Sequence, residues 1–133
     1  MDKYHSENRH KYLIKLHLVF AIKYRKKLLK ENFSDDIKQW CFDICSKNDV
    51  TIDEMETDLD HIHILVDIPP ILSPSKLIML IKQQTTWNAW KYYANFLKNH
   101  FWKERTLWSD GYFVCSTGDA STETIRQYIE SQG

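Results

Sequence analysis

Two histidines separated by one isoleucine, in Asp60-His61-Ile62-His63-Ile64-Leu65-Val66, are the residues of this chain best suited to chemistry. A strand sends alternate side chains to opposite faces, so His61 and His63 project together while Ile62, Ile64 and Val66 enter apolar packing. Two imidazoles side by side on a rigid strand supply two thirds of a metal site. Tyr128 and Gln132 stand four residues apart in a segment that reads as helix, and so share a face. A histidine pair able to hold a cation, a phenol and an amide oxygen together suggest phosphoryl transfer through a tyrosine. On the residues alone the plainer readings stay open. An H-x-H on a strand arises readily by chance, and a tyrosine on an amphipathic helix is often half-buried packing.

The elements that must position these groups fit into one domain spanning 1–133, since 133 residues are enough for one real core and too few for two. A hydrophobic content of 43% with 14% aromatics excludes a disordered chain, and three Gly and three Pro leave little room for linkers. The longest apolar stretch, Leu13 to Ile22, is interrupted by Lys15 and His17, so no membrane span is expected. The N-terminus is too charged for a signal peptide, and the expected location is cytoplasmic. Cys41 and Cys45 lie one helical turn apart beside Trp40 and Ile44, and Cys115 sits in an apolar strand. An odd count without C-x-x-C spacing favours free thiols.

A net charge of zero conceals an asymmetry. Residues 1–33 carry nine Lys/Arg against three Asp/Glu, whereas residues 34–60 carry two against nine. Lys23, Arg25, Lys26, Lys27 and Lys30 form a basic cluster directly after the first strand. It reads either as a solvated turn or as a phosphate-binding patch.

Tyr12 to Tyr24 alternates, with Tyr12, Ile14, Leu16, Leu18, Phe20 and Ile22 on a dry side and Lys15, His17 and Lys23 opposite. Ser34 is expected to cap a helix whose Ile37, Trp40, Cys41, Ile44 and Cys45 make one stripe. Val50 to Glu56 and His61 to Ile68 read as strands joined by Asp58-Leu59-Asp60, and Pro69-Pro70 ends the second of them. Ser73-Pro74 opens a second helix running on through Trp87, Trp90 and Tyr93. Gly111 to Thr117 reads as a fourth strand, after which Gly118 and Asp119 open a last helix through Tyr128 to Gln132. The order predicts an α+β fold: a ferredoxin-like or RRM-like βαββαβ antiparallel sheet with helices on one face, plus a C-terminal helix carrying the tyrosine. The polar sheet face, with His17, His61 and His63, is expected to stay open, as in many nucleic-acid-binding modules.

The assembled pattern resembles the HUH single-tyrosine transposases of the IS200-like insertion sequences. The matching pieces are Lys23-Tyr24-Arg25, Asp60-His61-Ile62-His63 with Pro69-Pro70 following, Ser73-Pro74-Ser75, Lys82, Trp108-Ser109-Asp110-Gly111-Tyr112-Phe113 and Tyr128-Ile129-Glu130-Ser131-Gln132. They span residues 17–132 in the family's order and spacing. The chain departs in stopping at Gly133, where relatives usually carry a further tail.

The resemblance implies an enzyme that cuts and rejoins single-stranded DNA at hairpin-marked ends of a mobile element. It implies Tyr128 as nucleophile, a 5′-phosphotyrosine intermediate, and a cation held by His61, His63 and the Gln132 amide oxygen. Two nitrogens and an amide oxygen suit Mg²⁺ or Mn²⁺ in use, though Zn²⁺ would also bind. It further implies a homodimer in which the tyrosine helix of one subunit completes the metal site of the other. Lys23, Arg25, Lys26 and Lys27 are the expected DNA contacts. His17 is expected to touch phosphate or support the site rather than to ligate, and the aromatics from Trp87 to Trp108 to pack or to stack on bases. The rivals are a non-catalytic hairpin-binding module, a replication-initiator-type or relaxase HUH nuclease, and a structural metal-binding domain. In relaxases the nucleophile usually precedes the histidine pair, whereas here it follows. The structural-metal reading lacks a fourth His or Cys at zinc spacing.

Overall fold

The computed structural model describes residues 4–7, 10–116 and 122–132 of the chain. A short antiparallel hairpin, β1 (His5–Glu7) and β2 (His10–Tyr12), precedes the main sheet. There follow β3 (Lys15–Ala21), α1 (Glu31–Lys47), β4 (Thr51–Thr57), β5 (His61–Asp67), α2 (Pro74–Tyr92), the short α3 (Ala94–Lys98), β6 (Phe113–Ser116) and α4 (Thr122–Ser131). The four-stranded sheet has the order β4-β5-β3-β6, and every neighbouring pair is antiparallel. This is the split βαββαβ arrangement that the sequence order predicts.

Periodicity builds the core. Leu18 and Phe20 of β3 and Ile62, Ile64 and Val66 of β5 are fully buried on one sheet face. Phe33, Ile37, Cys41, Ile44 and Cys45 of α1 cover it, together with Leu77, Ile78 and Ile81 of α2. Each such large side chain contributes about 1.5–3 kcal/mol by leaving water. The α2 start is as expected: Ser73 Oγ accepts the Lys76 N–H at 3.2 Å and Pro74 occupies the first turn. None of the three cysteines is disulfide-bonded, and burial pushes the Cys45 thiol up to about 12. Two indoles tie the 105–110 segment to the rest. Trp108 Nε1 donates to Thr85 Oγ1 and Trp90 Nε1 to the Thr106 carbonyl, each at 2.9 Å. Trp87 and Trp102, by contrast, lie exposed.

Three expectations need correction. The first strand does not run from Tyr12 to Tyr24. Tyr12 pairs back on His5, and past Ala21 the chain turns into a 3₁₀ segment, Lys23–Arg25, with left-handed φ at Tyr24 (61°) and Arg25 (51°). Ser34 is not a cap. The helix starts at Glu31, leaving Ser34 buried inside it, with its hydroxyl bonded to Thr57 Oγ1 at 2.7 Å. The polar sheet face is not open along its length either, because α4 packs on β3, and Val19 and Ala21 there are fully buried. The expected strand end at Thr117 and helix start at Gly118-Asp119 fall outside the described residues.

Thr85 is fully buried and accepts the Trp108 indole N–H while donating to the Ile81 carbonyl. Thr85→Val keeps the shape and strands the indole donor, so it should destabilise the fold by about 1–3 kcal/mol in urea denaturation. A loss below about 0.5 kcal/mol would show that the bond does not hold this segment.

Candidate active site

The register of β5 against β3 sets the site. Ala21 lies opposite His61 and Val19 opposite His63. The Ala21 carbonyl accepts from Ser109 N–H at 2.9 Å, on the side of β3 away from β5. A strand residue's N–H and C=O point the same way, so Ala21–His61 and Val19–His63 are the narrow, non-hydrogen-bonded pairs of the ladder. Side chains approach most closely there, and small Val19 and Ala21 leave room for the two rings.

Each ring has a partner. His61 Nδ1 lies 2.9 Å from Asp60 Oδ1, and Asp60 Oδ2 accepts from Arg25 Nε at 3.2 Å. Partial burial pushes the Asp60 carboxyl up, but the bonds from His61 and Arg25 outweigh it and hold the group below its ordinary value. His63 Nε2 lies 2.6 Å from Nδ1 of His17, which shares this sheet face. Burial, and then the neighbouring His17, lower the His63 pKa, favouring the neutral imidazole that metals bind.

The basic cluster is less free than its sequence suggests. Lys23 Nζ pairs with Glu104 at 3.2 Å, and Tyr24 Oη donates to the same carboxylate. Arg25 is turned onto Asp60. Lys26 leans over the Phe101 ring, and Lys27 is exposed.

Helix α4 brings its own pair to the same sheet face. The Tyr128 ring packs on Phe113 of β6 with centroids 5.8 Å apart, and its buried hydroxyl has no hydrogen-bond partner among the described residues. Burial raises the phenol from the usual 10 to about 12. Gln132 Oε1 accepts from Ser109 Oγ at 3.1 Å. Gly111 permits this approach: a Cβ there would sit 3.3 Å from Gln132 Oε1 and 3.5 Å from Tyr128 Oη. Lys82, half-buried with its pKa lowered by that burial, pins the segment by donating to the Ser109 and Gly111 carbonyls at 2.8 and 2.7 Å.

The structure thus gathers His17, His61 and His63 on one face, and Tyr128 and Gln132 against Ser109 and Gly111. Among the described residues, neither Tyr128 nor Gln132 hydrogen-bonds to a histidine, because Ser109 lies across β3 from His61. A cleft of about 520 Å³ runs beside the other flank of α4, lined by Arg25, Lys27, His61, Ile125 and Arg126 among others. Sequence reasoning gave no role to Asp60, Ser109 or Gly111. The signals available were the adjacency of Asp60 to His61 and the place of Ser109 and Gly111 within the family-matching Trp108–Phe113 piece.

The model of the IS200-like transposases matches residues 10–132. The chain belongs to the IS200-like transposase family. Similar proteins include the ISDra2 transposase TnpA of Deinococcus radiodurans, 27% identical over 91% of this chain and 85% of that one. Another is the transposase for insertion sequence element IS200 of Salmonella typhimurium, 31% identical over 89% and 76%. A crystal structure described as a candidate transposase from Deinococcus radiodurans superposes with a TM-score of 0.88 at 23% identity, covering 96% of this chain and 97% of the other. A REP-associated tyrosine transposase bound to a REP hairpin gives 0.57 at 17% identity, covering 95% and 69%. Both share the fold.

Transposases of this family are generally metal-dependent, and the transposase's residues fit a divalent cation. Burial and His17 favour neutral His63, and among the described residues His61 has one nitrogen engaged by a carboxylate and the other left over. Among the described residues no group of three or more His, Cys, Asp or Glu converges. A cation would therefore take further donors from an amide, substrate or water. Among the described residues no helix is long and apolar enough to cross a membrane.

The buried phenol generates a pH prediction. A raised pKa means that the neutral form is favoured where α4 is docked. The contribution of Tyr128 to docking is therefore complete below about pH 10 and lost as pH rises towards about 12. With ¹³Cζ-labelled tyrosine, the Tyr128 resonance of the DNA-free protein should titrate near 12. A midpoint near 10 would mean that the ring is not held in this position.

Proposed function

We propose that this transposase cleaves and rejoins single-stranded DNA at hairpin-marked ends of an insertion sequence, with Tyr128 as nucleophile. In this reading His61 and His63 hold Mg²⁺ or Mn²⁺, with Gln132 as a further donor. The observation that carries the reading is Tyr128's phenol, buried and without a hydrogen-bond partner among the described residues, on a helix laid across the sheet face that bears the histidine pair. A buried polar group without a partner costs free energy, so it calls for a functional explanation.

Tyr128 Oη attacks phosphorus and the bond to the 3′-oxygen breaks. The phenol gives up its proton and the departing oxygen takes one up, leaving a 5′-phosphotyrosine and a free 3′-OH. Because one phosphodiester bond replaces another, a 3′-OH can attack in turn and rejoin the strand without ATP. When bound, the cation polarises the scissile phosphate and neutralises charge on its non-bridging oxygens. Lys27 and Arg126 line the cleft beside His61 together with the carboxylates of Asp58 and Glu130, and these two cations would meet a phosphate chain there. Hairpin recognition is supported by the hairpin-bound relative of the same fold, with Lys23, Lys26 and Lys27 as phosphate contacts. His17 supports His63.

The protein acts as a homodimer with shared sites. Two features favour this: Tyr128 and Gln132 sit across β3 from His61 in their own chain, and α4 is held largely by side chains that a second copy would present equally.

With hairpin-bearing single-stranded DNA and Mn²⁺, the protein should form a covalent adduct that survives a denaturing gel. Tyr128→Phe should abolish the adduct and keep hairpin binding. An adduct in the Phe variant would move the nucleophile elsewhere. Mixing a His61→Ala/His63→Ala protein with a Tyr128→Phe protein should restore one working site per mixed dimer. Inactivity although mixed dimers are demonstrably present would place the sites within single chains.

A further inference from the structure

We infer that Arg25 and Asp60 form a brace that fixes the tautomer and direction of His61, and that Arg25 is a positioning residue rather than a DNA contact. The inference rests on the metal reading above and adds two residues to it. The geometry is a chain of three groups. Arg25 Nε donates to Asp60 Oδ2 at 3.2 Å, and Asp60 Oδ1 lies 2.9 Å from His61 Nδ1. A carboxylate only accepts, so the ring proton sits on Nδ1 and the lone pair is left on Nε2. Histidine ligands are commonly held in this way, with the carboxylate aiming the ring.

The backbone is shaped to make the contact. The 3₁₀ turn after β3 takes left-handed φ at two successive non-glycine residues, Tyr24 and Arg25. Residues of that kind enter this region at a cost of about 1–2 kcal/mol each, so something in the fold must hold them there. The turn and the Asp58–Asp60 connection are stitched together on both sides of the brace: Ile22 N–H donates to the Asp60 carbonyl and Leu29 N–H to the Leu59 carbonyl, both at 2.8 Å. The Asp60 side chain is only 13% exposed, and both its oxygens are occupied. Arg25 is therefore committed inward, unlike exposed Lys27 two residues on.

The test uses the intact chain without DNA, with Mn²⁺ titrated by calorimetry and Co²⁺ as a spectroscopic probe. Asp60→Asn and Arg25→Gln should weaken Mn²⁺ binding about 10–100-fold, and Asp60→Asn should also shift the visible Co²⁺ spectrum. Arg25→Gln should leave the salt dependence of hairpin binding as in the parent, while Lys27→Gln lowers that slope by about 1 and keeps Mn²⁺ affinity. Parental Mn²⁺ affinity in Arg25→Gln together with a reduced salt slope would overturn the brace and make Arg25 a phosphate contact. So would parental affinity in both brace variants. If Asp60→Asn does not fold, as judged by circular dichroism, Arg25→Gln decides alone, since its side chain is one-third exposed. If parent and His61→Ala bind Mn²⁺ equally weakly, the metal reading itself fails and the brace with it, a result distinct from all of these.

Discussion

Between β3 and β5 the backbone pairs Ala21 with His61 and Val19 with His63, and the rest of the site depends on that register. Side chains alternate with a period of two, so a slip of one residue would drive both histidines into the core and throw Ile62, Ile64 and Val66 onto the other face. Three fully buried branched side chains against α1 and α2 resist such a slip, since exposing each would cost about 1.5–3 kcal/mol. The hydrophobic core is thus what aims the imidazoles. The same register puts the histidines opposite the two smallest apolar residues of β3, where the strands come closest in side-chain terms.

The second layer on this face is of a different kind. Within α4, Ile129 is the apolar residue buried most deeply, and its polar neighbours Tyr128 and Gln132 are received by a glycine and a serine. Lys82 holds that receiving segment by its carbonyls, fixing the cradle without touching the phenol. Among the described residues, α4 is attached through buried Ile129, the Tyr128 ring on Phe113 and the bond from Ser109 to Gln132. In the proposed reaction Tyr128 would leave this buried position to meet a phosphate.

Much of this was legible beforehand. The order of strands and helices, the helical stripe of Ile37, Cys41, Ile44 and Cys45, and the Ser73-Pro74 start follow from local periodicity and capping chemistry, which act over a few residues. Ser34 misled because a serine before an apolar run reads as a cap, whereas its hydroxyl is taken by Thr57, 23 positions away. The partners of the basic run were illegible for the same reason, since the carboxylates Asp60 and Glu104 lie 35 and about 80 residues on. The early end of the first strand was illegible because the alternation of Tyr12 to Tyr24 continues through the break. What stops the strand is that Ile22 and Lys23 take Asp60 and Leu107 as backbone partners. Gly111 belongs to a family-matching piece, but its use as a cradle emerges only when α4 lies on it.

The turn at Tyr24 and Arg25 shows how local strain and distant contacts are traded. Glycine at either position would relieve the left-handed backbone, and would also delete the group the turn exists to present. Without Tyr24 the Glu104 carboxylate would keep only Lys23, and without Arg25 Asp60 would keep only His61. An aspartate with one partner is free to turn towards solvent, and the imidazole it holds would turn with it. The unfavourable φ values persist because two side-chain bonds and the backbone bonds around them over-determine the turn. A strained loop of ordinary residues beside a histidine pair is therefore informative in its own right. It marks where the fold spends stability on orientation rather than on burial.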